Sequence, residues 1–190
     1  ASVNDIAVLE LTRAPEGVKT NAVTILSKDD EPLLLPIGAE LTIIGWGKTG
    51  PDAPGSMDLL ESKVAAIDRQ ACNRALTSML TRDADVTKAI NELAFTFNMT
   101  PEARRRFEQS LTQFGGTVTP QMICAGAPVD GVDTCGGDSG GPILRKLPDG
   151  DVIQVGIVSF GLGPCGKAAA PGVYTRVALY TDWMQQVLST

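Results

Sequence analysis

Residues Asp133–Leu144 read DTCGGDSGGPIL. One hydroxyl, Ser139, is bracketed by paired glycines, Gly136–Gly137 before it and Gly140–Gly141 after it. Asp138 adjoins it, and Asp133 and Cys135 lie just upstream. Acyl transfer by serine needs an exposed hydroxyl, a base that takes its proton, and rigid donors aimed at the developing oxyanion. Backbone N–H groups are such donors, and glycine lets them turn inward and lets a substrate come close. The N–H groups of Gly137 and Ser139 could form this hole, with Ser139 Oγ at its lip. A glycine-rich hairpin turn has the same composition, so the rest of the chain must decide between the two.

Outward from this loop, the pattern is one of short strands. Met122–Ala125, Pro142–Arg145, Asp151–Phe160 and Val173–Val177 read as β, as do Val3–Leu11, Glu40–Trp46 and Glu61–Ile67 nearer the start. Thr12–Pro36 is rich in Pro, Gly and Asp and reads as a connector with at most short extended pieces. The character changes between Asp85 and Phe114. Val86, Ile90, Leu93 and Phe97 recur at helical spacing, and Ala103, Phe107, Leu111 and Phe114 do so again. Thr100 suits an N-cap, Pro101 the first helical position and Glu102 the first turn, while Gly115 and Gly116 stop the run. This predicts a helical hairpin turning near Asn98. Leu179–Leu188 reads as a terminal helix. Many short strands with one helical insertion favour an all-β barrel or sandwich over alternating βαβ units.

With 190 residues, 43% hydrophobic and 20% charged, the chain suits an ordinary soluble core. A net charge of −6 argues against nucleic-acid partners and anionic membrane surfaces. No apolar run approaches the ~20 residues of a membrane span, and the first residues have no signal-peptide pattern. Cys72, Cys124, Cys135 and Cys165 make no C-x-x-C pair, and there is no histidine, so no metal and no cofactor is expected. Two disulfides in an oxidising compartment fit the four cysteines, and so do four buried thiols.

The motif GDSGGP resembles the nucleophile motif of the trypsin-like (chymotrypsin-fold) serine peptidases. Other segments follow in family order: NDIAVLEL from Asn4, GWG at Gly45–Gly47, MICAG at Met122–Gly126, VSFG at Val158–Gly161, PGVYTRV at Pro171–Val177 and YTDWM at Tyr180–Met184. The resemblance implies an all-β fold: a second β-barrel over 39–190 with an inserted helical hairpin at about 73–117 and a C-terminal helix. It places the end of a first barrel and the inter-barrel connector in 1–38. It implies Ser139 as nucleophile, Asp5 as the buried catalytic aspartate, and Gly137 with Ser139 as the oxyanion hole. Asp133 then lies at the base of a pocket for Arg or Lys, with Gly161 and Gly172 leaving its wall open. Ser159 would hydrogen-bond Asp5, and Asp138 would pair with a newly cut N-terminus during zymogen activation. The resemblance also implies that the cysteines pair as Cys72–Cys124 and Cys135–Cys165. Implied partners are protein or peptide substrates with Arg or Lys before the scissile bond, and protein inhibitors, in a secreted, extracellular or periplasmic setting.

The resemblance breaks at one point of chemistry. The family's general base is a histidine on the first barrel, upstream of the aspartate segment, and this chain has none. The expectation is a C-terminal part of a longer peptidase, inactive by itself, whose barrel edges depend on the missing strands. A catalytically dead pseudopeptidase that binds partners is the competing reading. Gly136 stands where the family has a larger residue, and Gly161–Cys165 is one residue longer than the trypsin pattern.

Overall fold

The computed structural model describes residues 3–13, 15–17, 22–82, 84–114, 118–162, 164–168 and 170–189. Six strands close into an antiparallel barrel: β2 (Glu40–Gly45), β3 (Leu60–Ile67), β4 (Met122–Gly126), β5 (Pro142–Lys146), β6 (Val152–Phe160) and β7 (Gly172–Arg176). The ladder runs β5-β2-β3-β4-β7 and returns through β6, which pairs with both β7 and β5. Closure leaves no free edge within this ring. β1 (Thr24–Ile25) adds a two-residue parallel pairing onto β6.

Alternation along the strands explains the interior. Leu41 and Ile43 of β2, Val64 of β3, Ala125 of β4, Ile143 of β5, Ile153, Val155 and Val158 of β6 and Tyr174 of β7 form one buried cluster. A register shift between Val158 and Phe160 bends β6 just where the candidate site begins. α1 (Glu31–Leu34) seals the connector against the barrel. The nearly fully buried Glu31 accepts two bonds from Arg176, from Nε at 2.7 Å and Nη2 at 2.6 Å, while Arg176 Nη1 donates to Pro120 O.

The inserted region holds the expected pair, α3 (Ala84–Thr96) and α4 (Pro101–Phe114), turning at Asn98, whose φ is 44°. Thr100 Oγ1 accepts the Ala103 N–H and caps α4. A further helix, α2 (Arg69–Arg82), precedes them and was not anticipated. Its face is set by the barrel: Cys72 and Leu76 are fully buried with Val118, Met122, Cys124 and Val173. Asn73 fastens it further, accepting the Val118 N–H at 2.6 Å and donating to Val118 O at 3.3 Å. Of the helical stripe, Ile90 is buried, but Phe97 is mostly exposed because α3 ends at Thr96 and the chain turns there. The side chains of Val86, Leu111 and Phe114, and the stop at Gly115 and Gly116, lie outside the described residues.

Val3–Leu11 forms no strand: it has no ladder partner among the described residues, and an extended segment without one is not a sheet. At the other end, a 3-10 turn (Val177–Tyr180) leads into α5 (Thr181–Leu188). Among the described residues no helix is long and apolar enough to cross a membrane.

Candidate active site

The 135–141 loop is held from both sides. Gly140 N–H donates to Val158 O and Val158 N–H to Gly141 O, tying the loop to β6. Asp138 N–H donates to Cys135 O, closing the turn that precedes Ser139. Gly137 and Gly140 adopt φ of 105° and 82°, a region where a side chain is strained, so these two positions require glycine. The result is an exposed Ser139. Among the described residues neither the Gly137 N–H nor the Ser139 N–H donates to a protein acceptor, leaving two free donors beside the hydroxyl. Free N–H donors in a rigid loop are what a developing oxyanion can use.

Asp138 turns away from Ser139 and under the loop. Its Oδ1 accepts the Gly47 N–H at 2.8 Å and its Oδ2 the Cys135 N–H at 2.9 Å. This explains GWG: a Cβ on Gly45 or Gly47 would collide with the Asp138 carboxylate. The motif clears space for a carboxylate 91 residues away in sequence.

Behind Ser139 opens a cavity of about 480 Å³, lined among others by Asp133, Thr134, Ser139, Ser159, Gly161 and Gly172. At its base, Asp133 accepts N–H bonds from Thr134 at 2.8 Å and Gly166 at 3.3 Å. No cation pairs with it among the described residues. Burial pushes its carboxyl above the ordinary range, against those two N–H bonds. Gly161 has open space where a side chain would project, whereas a Cβ on Gly172 would come within 2.9 Å of the Tyr174 hydroxyl. Tyr174 is fully buried, its hydroxyl 3.4 Å from Thr134 Oγ1, and burial raises its pKa. Sequence reading missed Thr134 as a cavity-lining residue and Tyr174 as the buried side chain behind it. Both stand inside quoted motifs, but only the fold brings them together.

Asp5 meets Ser159, whose Oγ donates to Asp5 Oδ2 at 2.6 Å; Thr175 Oγ1 donates to the Asp5 carbonyl at 2.7 Å. Tyr180 hydroxyl donates to Asn4 Oδ1, so the 4–5 segment sits across β6, β7 and the terminal turn. The expected burial of Asp5 does not hold here. The residue is exposed, because Ser159 and Thr175 cover it from one side only. The disulfides join Cys72 to Cys124 and Cys135 to Cys165, with Cα–Cα separations of 6.3 and 5.3 Å. No metal-binding cluster occurs among the described residues.

The family model described as Trypsin matches residues 1–92 and 100–184, nearly the whole chain. The chain belongs to the trypsin family. Trypsin 5G1 of Aedes aegypti is 32% identical over 183 residues, 96% of this chain and 52% of that protein. The clotting factor G beta subunit of Tachypleus tridentatus is 30% identical over 184 residues, 96% of this chain and 50% of that one. Against the suppressor of tumorigenicity 14 protein homolog of Bos taurus the identity is 30% over 181 residues, 95% of this chain but 16% of that protein. The solved structure of neuropsin, a serine protease expressed in the limbic system of mouse brain, superposes with a TM-score of 0.58. It is 28% identical, and the match covers 88% of this chain and 54% of that one. This trypsin-family chain thus spans about half or less of the length of these relatives. Its fold is a trypsin-like barrel with a C-terminal helix, and family membership makes it a serine-peptidase homologue.

Proposed function

We propose that this protein is a secreted serine endopeptidase that cleaves after Arg or Lys through an acyl-enzyme. The observation that carries the reading is the Asp133 carboxylate. It is half-buried in the wall of the Ser139 cavity and has no cation partner among the described residues. A desolvated charge of this kind seeks a partner, and a guanidinium or ammonium entering past Gly161 supplies it. Ser139 Oγ attacks the carbonyl and the N–H groups of Gly137 and Ser139 receive the oxyanion. Asp5, steadied by Ser159, orients the base and stabilises its charged form. That base is not a histidine of these 190 residues; it comes from sequence outside them. Asp138 lines a second cavity of about 460 Å³, and we assign it to the ammonium of an N-terminus released on zymogen cleavage. The two disulfides suit an oxidising compartment and support secretion.

A second reading is favoured by the lack of histidine: a pseudopeptidase that keeps the pocket for binding. One experiment separates them. The intact protein is assayed with Arg, Lys and Leu p-nitroanilide peptides and labelled with a fluorophosphonate. The peptidase reading expects Arg and Lys turnover, loss of that preference in Asp133→Ser, and Ser139-dependent labelling in both proteins. No turnover and no labelling, with amidine binding kept, would leave only the binding module. Arg preference retained in Asp133→Ser would sink the pocket assignment. The 190-residue chain alone is expected to be inactive, since losing a triad member removes most of the rate.

A further inference from the structure

Asp133 stands where two loops, 130–135 and 165–168, are stitched together at several points. Gly131 N–H donates to Gly166 O at 2.7 Å, Gly166 N–H to Asp133 Oδ2 at 3.3 Å, and Ala168 N–H to Asp130 Oδ1 at 2.9 Å. The Cys135–Cys165 disulfide joins the same loops. One further contact differs in kind: Lys167 Nζ donates to Asp130 Oδ2 at 2.8 Å. Lys167 directly follows the glycine whose N–H touches Asp133. Lys167, Asp130 and Asp133 all line the second cavity. The protein therefore carries, beside Asp133, a cation of the same chemistry as the substrate side chain proposed for it.

We propose that Asp130 is a specificity-determining residue: it captures the Lys167 ammonium and so keeps Asp133 open to the cation of the substrate. The inference rests on the reading of Asp133 as the substrate carboxylate. A tethered ammonium on a flexible stem has an effective concentration on the order of millimolar or more, enough to compete with a dilute substrate. Asp133 is the more desolvated of the two carboxylates, so an ammonium released from Asp130 gains most by moving there. The Lys167 hydrogen bond, and then the Ala168 N–H, hold the Asp130 carboxyl below its ordinary range, so the capturing charge persists at neutral pH. As an exposed pair, Asp130–Lys167 adds little to stability. Its effect lies in where it keeps the lysine.

The test titrates the intact protein with p-aminobenzamidine, a planar cation sized for the cavity. Asp130→Ala is expected to weaken binding about tenfold, while Lys167→Met stays within about twofold of wild type. The double variant is expected to return to within about twofold of wild type, because the competitor is gone. If Asp130 acts only by bracing the loop through Ala168, the double variant binds as weakly as Asp130→Ala, and the proposal falls. Unchanged binding in Asp130→Ala overturns it as well. Should Asp130→Ala distort the loop, Asp130→Asn keeps an acceptor for Ala168, removes the charge, and must show the same weakening and the same rescue. Wild-type binding that does not depend on Asp133, read from Asp133→Asn, would instead overturn the pocket reading itself.

Discussion

An arginine meets a glutamate in the barrel, Arg176 with Glu31, and again on the inserted α4, Arg106 with Glu102. The geometries are similar, with closest contacts of 2.6 and 2.9 Å. The surroundings are not: the side chains of the barrel pair are 33% and 7% exposed, those of the α4 pair 78% and 70%. Water already solvates the exposed pair and screens it, so forming it gains little. In the barrel the Glu31 carboxylate has lost its water, and Arg176 replaces that solvation with two donors. One chemistry thus serves as a structural joint in one region and as surface decoration in the other. The same contrast runs through the apolar residues: Ile143 and Val155 are fully buried in the ring, while Phe95 on α3 is 89% exposed.

Five substitutions or measurements can break or sharpen this contrast. Arg176→Met strands a buried carboxylate and is expected to lower unfolding free energy by about 3 kcal/mol, read from urea melts. A loss no larger than that of a surface pair would erase the distinction. Asn73→Ala comes next, at about 1–3 kcal/mol, because it leaves the Val118 N–H unpaired where α2 joins the barrel, while Arg69 Nη1 still donates to Val118 O at 3.2 Å. A negligible effect would place all of α2 with the decoration.

The third is a pH profile. Burial raises Asp133's folded pKa above the ordinary value of 3.8. The folded state therefore holds that proton more tightly than the unfolded chain. Asp133 contributes stability that is present below the ordinary value and lost as pH rises through its folded value. Amidine affinity is expected to run the other way, growing over that same window as the carboxylate ionises. Asp133→Asn should flatten both curves in thermal melts and titrations, and a wild-type stability profile already flat there would contradict the burial argument. Smallest are Arg106→Met and Phe95→Ala, each expected within about 0.5 kcal/mol of wild type. A larger loss in either would show that α3 and α4 carry structure.

Much of the barrel was readable from residues alone because strand alternation and turn punctuation are local signals. β2 through β7 lie within a residue or two of the runs read from sequence, and the α3–α4 turn at Asn98 followed from spacing, Thr100 and Pro101. Two elements were misread for non-local reasons. Val3–Leu11 has a strand's pattern but no strand to pair with. α2 lacks a clean stripe of its own, since what fixes it is Cys72, Leu76 and Asn73 meeting Val118 and Cys124.

The sequence by itself determined the nucleophile loop, the order of motifs that marks the trypsin family, and the absence of histidine from these residues. Each is a matter of identity and spacing along the chain. Only the tertiary structure decided what the carboxylates face. Asp138 reaches Gly45 and Gly47, Asp133 is left half-buried with no cation among the described residues, and Asp130 holds Lys167; the Ser159–Asp5 bond alone was already implied by the motif resemblance. Charge compensation acts through space and burial, and the barrel brings together groups from 37 to 154 residues apart that no local pattern connects.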